Sequence, residues 1–547
     1  MIVAGKKQGH KQSMSRDVTR NPQTRFNQLS EEKGAIFKDW GGKLPIALIY
    51  PNSYYLGMSN LGIHTIYRLL NNHRQVVCER VFWERESNDK NLTPLSLESK
   101  RPLIDFAVLA FSISYELDYF NIAKILRAGG IPLYSRDRNE RHPIIIAGGP
   151  CISANPMPVS SFFNCLCIGE AEPILTGMLP VLFDSINDNR QELLKSLASM
   201  PGIYVPDYHS GTPVVRQWAE NLDDFPATSK IITPHTELGD LYLIEAERGC
   251  QRSCRFCLVG TTFSPMRFLS PDRLIEQAKQ GFEKRKRVGL VGPAVSDHPR
   301  IDEILSRLLK MGAELSISSL RINSLTQNIL NKLVTGKVRT ITLAPEAGSQ
   351  RLRQMIKKGI SKDDILESVS KIATTDIKQL KLYFIIGLPS ETDEDIAEII
   401  KLALSCKTII DRQKSGTRIT LNITPFIPKA GTPFQWLPMA SISTLNHRQA
   451  LLKKSLPQMG IKLNCGSPAW SQVQGVLSRG DVRTAKILAD IDEVSLAGWR
   501  HAVEKFQLDI KFYANQNWGT SQKLPWAIID SAVKSDQLKR ELMKALD

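Results

Sequence analysis

From Pro45 to residue 186, short apolar runs alternate with longer amphipathic stretches. The short runs predict strands, at 46–51, 76–82, 106–114, 143–149 and 164–170. Apolar residues recur at helical spacing in the longer stretches, as in "ELDYFNIAKILRAGG" and "EPILTGMLPVLF". This alternation is typical of a parallel sheet covered by crossover helices. The sequence therefore predicts an α/β chain whose first domain, residues 45–186, is doubly wound and Rossmann-like.

A second and longer alternation of the same kind occupies residues 239–436. Its predicted strands lie at 241–247, 287–292, 314–320, 340–346, 380–387 and 418–426. An amphipathic helical pattern fills each gap between these strands. Six strand and helix units predict a partial (β/α)6 barrel of the TIM type, in which reactive groups lie at the carboxyl ends of the strands.

The remaining segments lack a long alternation of this kind. Residues 1–44 are polar and aperiodic, which predicts a flexible basic tail. Residues 187–238 predict a connector with a small helix and strand of its own. Residues 437–547 are mostly helical in pattern and predict a cap over the barrel mouth.

Composition places the chain among globular proteins that act in the cytoplasm. Of its 547 residues, 42% are hydrophobic and 23% are charged, and no apolar run approaches the length of a membrane span. The first residues lack the apolar stretch of a secretory signal. Nine cysteines without a regular framework favour reduced thiols over disulfides.

The formal charge of +16 raises the question of a nucleic-acid partner. The excess is spread along the chain, and its one dense run, 284–287, ends a predicted helix, where cations suit the helix dipole. A solvated basic surface is therefore favoured over a specific nucleic-acid site.

The segment "RGCQRSCRFCLVG" places Cys250, Cys254 and Cys257 directly after the first barrel strand. Three thiolates this close can chelate one metal centre. A structural zinc takes a fourth ligand nearby, yet the next histidine is His298, and ferredoxin clusters use four thiolates. Three ligands leave one iron of a 4Fe–4S cluster open, and an open iron indicates catalysis.

The Cys-x3-Cys-x2-Cys spacing after the first strand of such a barrel resembles that of the radical S-adenosylmethionine (SAM) enzymes. The resemblance implies that Cys250, Cys254 and Cys257 hold the cluster and that Phe256 lies against adenine. In this family the open iron binds SAM, and one electron cleaves SAM to a 5'-deoxyadenosyl radical. A reductant protein such as flavodoxin or ferredoxin is the partner that the resemblance implies.

Motifs at the later strand ends extend the resemblance to further SAM contacts. "LVGPAVSDHP" keeps Gly292 where the family often has Gly-Gly-Glu, but it lacks that triplet. Ser318 and Arg321, together with Glu346, occupy positions that usually meet the SAM carboxylate and ribose, and Gly387 corresponds to the glycine beside adenine. Other roles stay open: Glu346 as a helix cap, Gly387 as a turn glycine, and Arg321 as a salt-bridge partner.

The first domain resembles the cobalamin-binding domains found before some radical SAM barrels, through "GGPCISANP" and "CIGEAE". The resemblance implies corrinoid contacts at five positions: Gly148, Gly149, Pro150, Asn155 and Gly169. The motif Asp-x-His-x-x-Gly is absent, since "DYHSGT" has Thr212 in the glycine place. A degenerate domain that binds no corrinoid therefore stays open.

The leading hypothesis is a radical SAM enzyme, cobalamin-assisted or not, that methylates or rearranges an unactivated carbon of a substrate the sequence does not identify. An RNA-modifying enzyme of the methyl- or methylthiotransferase kind is the first alternative, and a non-catalytic iron-sulfur protein the second. Methylthiotransferases carry three more cysteines in their first domain. The irregular spacing of Cys78, Cys151, Cys165 and Cys167 does not match them, so no second cluster is predicted.

Overall fold

The computed structural model describes residues 28–84, 93–186, 188–209, 211–239, 241–318 and 320–547. Most of the expected tail, residues 1–27, lies outside these ranges. Its last part packs on the first domain: the Lys38 ammonium donates to the carbonyls of Asn71, His73 and Val76 at 2.6 to 3.0 Å. The first domain therefore includes residues that the polar composition had assigned to the tail.

The first domain is a six-stranded sheet of order β2-β1-β3-β4-β5-β6. Its strands are β1 (Leu44–Tyr50), β2 (Val76–Phe82), β3 (Val108–Ser112), β4 (Ile144–Gly148), β5 (Cys165–Cys167) and β6 (Ile203–Tyr204). The first five are parallel, and β6 pairs antiparallel with β5. The doubly wound prediction is confirmed, but β6 lies in the expected connector, so the sheet extends past residue 186.

Helices flank this sheet as the amphipathic pattern predicts. They are α1 (Tyr54–Gly57), α2 (Leu61–Asn72), α3 (Tyr119–Ala128), α4 (Pro150–Ala154), α5 (Ala171–Ser185) and α6 (Arg190–Ala198). The connector contributes α6 and β7 (Val214–Val215), which pairs with β17 (Ile529–Asp530) near the end of the chain.

The predicted barrel strands all form, in two parallel sheets of order β12-β11-β8 and β13-β14-β15-β16. The six predicted strands are β8 (Leu241–Glu245), β11 (Arg287–Val291), β12 (Glu314–Ile317), β13 (Thr340–Glu346), β14 (Gln379–Ile386) and β15 (Arg418–Pro425), and a further strand, β16 (Lys462–Cys465), pairs with β15. A small ladder joins β9 (Glu247–Arg248) to β10 (Arg267–Phe268). Strand β16 was not predicted, because it has only four residues and these alternate between exposed and half-buried positions. It extends the second sheet into the expected helical cap.

Helices alternate with the barrel strands along the chain. They are α7 (Val259–Thr262), α8 (Pro271–Phe282), α9 (Ile301–Lys310), α10 (Gln327–Thr335), α11 (Gln350–Met355), α12 (Lys362–Ala373) and α13 (Asp393–Arg412). None of the described helices is long and apolar enough to cross a membrane.

The C-terminal region joins the two domains. Its helices are α14 (Ile442–Ser455), α15 (Pro468–Arg479), α16 (Thr484–Asp490), α17 (Leu496–Lys505) and α18 (Ser535–Leu546). Trp470 and Trp499 pack edge-on against Phe120 of α3, with ring centroids 6.3 and 5.8 Å apart. These tryptophans therefore fasten the C-terminal helices to the first domain.

Candidate active site

The cysteine loop, residues 250–257, leaves β9 through Gly249, whose φ of +85° is unfavourable for other residues. A Cβ at this position would lie 2.7 Å from the Pro265 carbonyl oxygen, so only glycine lets the loop fold back here. Burial raises the pKa of the Cys254 thiol, and it raises that of Cys257 to about 12, with neighbouring cysteines adding to both shifts. The thiols therefore lie within electrostatic reach of one another.

The donor set of this loop suits an iron-sulfur cluster. All three cysteines are free and partly accessible. Across the part of the chain that the structure describes, no three His, Cys, Asp or Glu side chains already stand in metal-ligand geometry.

Lys358 and Glu346 form an ion pair of 3.0 Å beside the cysteine loop. Burial lowers the pKa of Lys358, but Glu346, Cys254 and Cys257 raise it, and the net shift is upward. The ammonium thus stays charged and opposes the rise of the thiol pKa values. This ion pair lies where Glu346, one of the predicted SAM contacts, acts electrostatically on Cys254 of the cysteine loop.

Glu346 adopts a φ of +66° where β13 ends, next to a register shift in its pairing with β14. Non-glycine residues pay about 1–3 kcal/mol for such a conformation, and they persist in it mainly at functional sites. Helix α11 is capped by Ser349, whose side chain accepts the N–H of Leu352. The helix-cap alternative for Glu346 is therefore excluded.

Arg321 pairs with Asp297 at 3.2 Å, and Asp297 lies 4.0 Å from Arg252 in the cysteine loop. Ser324 also donates to Asp297. Arg321 acts in this structure as the salt-bridge partner that the sequence left open. Its charge still reaches Cys254, whose pKa it lowers against the larger effect of burial.

Ser318 and Gly292 follow the carboxyl ends of β12 and β11 and form hydrogen bonds with each other. The Ser318 hydroxyl donates to the Gly292 carbonyl at 2.9 Å, and the Gly292 N–H lies 3.1 Å from the same hydroxyl oxygen. These two predicted SAM contacts therefore come together and fix the relative position of two strand ends.

Glu247 is a buried carboxylate that the sequence analysis did not select. It lies against Gly292, where an added Cβ would be 2.9 Å from the Glu247 Oε1 atom. Oε1 accepts the N–H of Ala294, while Oε2 has no partner among the described residues. Burial raises the pKa of Glu247 to about 7. Its only sequence signal is an acidic residue between an apolar strand and the cysteine loop.

Phe256 and Gly387 lie in packed surroundings. Phe256 is half-buried against the large hydrophobic core. Gly387 has a φ of +77°, and a Cβ there would lie 2.7 Å from the Leu445 side chain on α14. Its N–H donates to Glu391, which pairs with Arg448 at 2.7 Å. Gly387 is thus a turn glycine in close contact with α14.

The residues expected to meet a corrinoid are engaged by the chain itself. The Asn155 amide donates to the carbonyls of Ser478 and Gly480 at 3.1 and 2.8 Å. Gly149 and Gly169 have φ of +115° and +130°, and a Cβ at either position would clash with the backbone of Ile113 or Gln217. Pro150 only begins α4, and Gly148 makes an ordinary contact with Cys167. This set does not fit an open corrinoid face, and no chemistry is assigned to it.

The segment "CIGEAE" instead fastens the first domain to the barrel. Arg248, next to the cysteine loop, pairs with Glu170 at 2.7 Å, Glu172 at 2.8 Å and Glu245 at 2.7 Å, and Arg267 pairs with Glu170 at 2.6 Å. All five side chains are buried or nearly so. This network fixes the base of the cysteine loop.

Two family models match the chain. Residues 62–206 match "Radical SAM proteins, N-terminal", and residues 244–403 match the radical SAM superfamily. An uncharacterized protein of Methanocaldococcus jannaschii is 31% identical over 452 residues, which are 81% of this chain and 90% of that protein. The match to the radical SAM superfamily, residues 244–403, contains the whole cysteine loop.

More distant relatives share parts of the chain. The threonylcarbamoyladenosine tRNA methylthiotransferase MtaB of Aquifex aeolicus is 25% identical over 28% of this chain and 40% of its own length. The solved structure of the cobalamin-dependent radical enzyme OxsB, with aqua-cobalamin and SAM bound, has a TM-score of 0.51 at 14% identity and covers 92% of this chain and 79% of that chain. This similarity shows a shared fold.

The radical SAM prediction is thus confirmed at the level of family and fold. Enzymes of this family depend on a 4Fe–4S cluster, on SAM and on a reductant. The chain belongs to the radical SAM superfamily.

Proposed function

We propose that the enzyme holds its cluster through Cys250, Cys254 and Cys257 and cleaves SAM reductively beside the ends of β12 and β13. When bound, the cluster and SAM supply the 5'-deoxyadenosyl radical. The observation that supports this most is the meeting of Lys358 and Glu346 with the cysteine loop. A small electron-transfer protein of the flavodoxin or ferredoxin type, in the cytoplasm, would supply the electron.

Lys358 has two roles in this proposal. Its ammonium compensates part of the negative charge of the three thiolates, which burial otherwise disfavours. It also neutralises Glu346, so that this carboxylate keeps its charge in a partly buried place. The carboxylate of Glu346 can then accept hydrogen bonds from the ribose hydroxyls of SAM.

Glu247 supplies the acceptor that the missing Gly-Gly-Glu triplet would have provided. Its free Oε2 atom is buried beside Gly292, where the resemblance implies contact with the SAM amino group. A buried carboxylate oxygen without a partner is costly, and an ammonium group would satisfy it. Ser318 keeps the Gly292 backbone in place beside it.

The test is SAM cleavage by anaerobically purified protein after chemical reduction. Slow formation of 5'-deoxyadenosine and methionine, dependent on the reductant and absent from cluster-free protein, supports the proposal. Cluster-loaded protein that binds SAM but forms no 5'-deoxyadenosine would contradict it. The reaction on the substrate, methylation or rearrangement of an unactivated carbon, follows this common first step.

Corrinoid assistance is a second candidate, which the fold shared with OxsB favours. The residues first expected to contact a corrinoid are engaged elsewhere, so a corrinoid would need another face of the first domain. Incubation with hydroxocobalamin followed by gel filtration tests this candidate. Stoichiometric retention supports it, and absence of corrinoid from cluster-replete protein leaves SAM cleavage without cobalamin.

A further inference from the structure

A cavity of about 270 Å³ lies between the first domain, the connector and the first barrel helix. Arg68 of α2 lines it from the first domain, and Lys230 lines it from the connector. Arg273 of α8, and Lys284 just beyond the end of that helix, line the opposite side. Four cationic side chains from three parts of the chain therefore converge on one cavity.

The positive charge of this cavity is only partly compensated. Arg273 pairs with Glu276 at 2.5 Å. Among the described residues, no acidic side chain forms an ion pair with Lys230 or Lys284. Burial lowers the pKa of Lys230, and the charges of Lys284 and Arg68 lower it further. Lys230 is thus half-buried and repelled both by Arg68 and by the exposed Lys284, while the charge of Glu172 acts favourably on Arg68.

Hydrogen-bond donors in the cavity are positioned in advance. One terminal nitrogen of Arg68 donates to the Pro226 carbonyl at 2.9 Å, which fixes the guanidinium, while its Nε is buried without a partner in the described chain. The Ser229 oxygen accepts the N–H of Leu243, which leaves its hydroxyl proton available. The side chain of Gln277 is buried in the same wall. Cations and neutral donors together are the groups that bind an oxyanion.

We propose that this cavity binds a phosphoryl group, as inorganic phosphate or pyrophosphate or as a phosphate carried by a larger molecule. A multivalent anion would offset the repulsion that Arg68 and Lys284 exert on Lys230, which otherwise costs free energy. The volume lies just below the range of pockets for drug-sized ligands, so it suits a phosphate or pyrophosphate better than a whole nucleotide. Lys284, which the charge pattern of the sequence places on a solvated basic surface, lines this anion site.

The cavity is separate from the site of SAM cleavage. Tyr242, which lines it, lies at the amino end of β8, whereas the cysteine loop follows the carboxyl end of that strand. An anion in the cavity would also contact the first domain, the connector and the barrel at once. The phosphoryl group therefore serves to anchor a molecule or to fasten these three parts of the chain, and it takes no part in radical formation.

The test measures binding of inorganic pyrophosphate to the full chain by calorimetry and by thermal melting, at constant ionic strength. Lys230→Met should weaken binding about tenfold, the loss of roughly one favourable charge interaction. Lys286→Met is the matched control, because Lys286 is exposed in the same basic run and does not line the cavity. The control should bind within about twofold of the parent chain.

Melting without pyrophosphate separates binding from folding. Lys230→Met removes a repelled cation, so the variant should melt at the same temperature as the parent chain or higher. Pyrophosphate should raise the melting temperature of the parent chain and of the control, and raise that of Lys230→Met far less. No saturable binding to the parent chain, or equal loss in both variants, would overturn the proposal.

A competing oligoribonucleotide identifies the source of the phosphoryl group. Displacement of pyrophosphate by the oligonucleotide, with loss of its binding in Lys230→Met, assigns the site to RNA phosphates. Pyrophosphate binding that the oligonucleotide does not displace assigns the site to a small phosphorylated compound. Both outcomes support the anion site.

Discussion

The ammonium of Lys358 lies 3.0 Å from the carboxylate of Glu346, and this pair joins the end of β13 to the cysteine loop. Glu346 has a left-handed backbone conformation, with a φ of +66°. The neighbouring Lys357 also forms an ion pair, with Glu541 at 3.1 Å, but its side chain is 45% exposed against 19% for Lys358. Adjacent lysines thus occupy very different electrostatic surroundings.

We predict that Lys358→Met lowers the free energy of unfolding by about 2–3 kcal/mol, because it leaves the Glu346 charge partly buried and unpaired. Iron content should fall as well, since a cation beside the thiolates is lost. Urea unfolding and iron analysis measure both effects. Lys357→Met, which removes an exposed pair, should change stability by less than about 1 kcal/mol. Equal effects of the two substitutions would contradict the role given to Lys358.

Alanine at Cys250, Cys254 or Cys257 should abolish cluster retention. The parent protein should carry about four irons after anaerobic purification, and a cluster left with two thiolates should not persist. Iron and acid-labile sulfide analysis measures the outcome. Cys406→Ala is the control, since its thiol is buried in the barrel core and should leave the iron unchanged. Full iron content in all three loop variants would refute the ligand assignment.

The regular elements were predictable because their signals are local. Helix α12 lies in one of the gaps where an amphipathic helical pattern was predicted, and Ser361 and Asp364 form a capping box at its start. Strand β13 likewise matches the prediction residue for residue. The short strands β6 and β16 were missed because two to four residues carry too little periodicity to distinguish them from loops.

The prediction that the three cysteines of the loop hold a cluster comes from their spacing and from the family resemblance, whereas the contacts around the loop could not be predicted. Glu245 and Glu247 are the same residue type two positions apart, and only their contacts in the folded chain distinguish them. Glu245 pairs with Arg248, while Glu247 lies against Gly292. Asn155 was selected for a corrinoid, yet its partners lie more than three hundred residues away in the C-terminal region. Long-range partners of this kind leave no mark on local sequence.

Gly387 and Gly359 provide a matched pair for measuring how closely α14 packs on the barrel. Both have a positive φ, +77° and +65°, but an added Cβ would meet Leu445 at 2.7 Å in the first case and open space in the second. We predict that Gly359→Ala costs about 1 kcal/mol from backbone conformation alone, and that Gly387→Ala costs about 1–3 kcal/mol more. Thermal and urea unfolding compare the two variants.

The double variant Gly387→Ala/Leu445→Ala tests the cause of that difference. Removing the Leu445 side chain creates space for the new methyl group, so the two substitutions should be less harmful together than the sum of their separate effects. Additive losses would show that the contact between Gly387 and Leu445 does not limit the packing of α14.

The last prediction concerns Glu247, whose pKa is raised by burial to about 7 from an ordinary value near 4.5. Between these two pH values the folded chain holds a proton that the unfolded chain releases. Stability from this group is therefore present at low pH and is lost as the pH rises through about 7. Glu247→Gln cannot ionise, so its stability relative to the parent should grow from near zero at about pH 4 to about 3 kcal/mol at about pH 8. Melting temperatures across this range measure the difference. Glu391→Gln is the matched comparison: the pKa of Glu391 is also raised to about 7 by burial, so the stability of this variant relative to the parent should rise with pH in the same way, but from a lower starting value, because the substitution leaves Arg448 without its carboxylate partner. The gain for Glu247→Gln should come with weaker SAM binding, seen as a KM for SAM that is about tenfold higher, because the free oxygen that burial makes costly is the proposed acceptor for the SAM amino group. A variant that gains stability with an unchanged KM would leave Glu247 without that role.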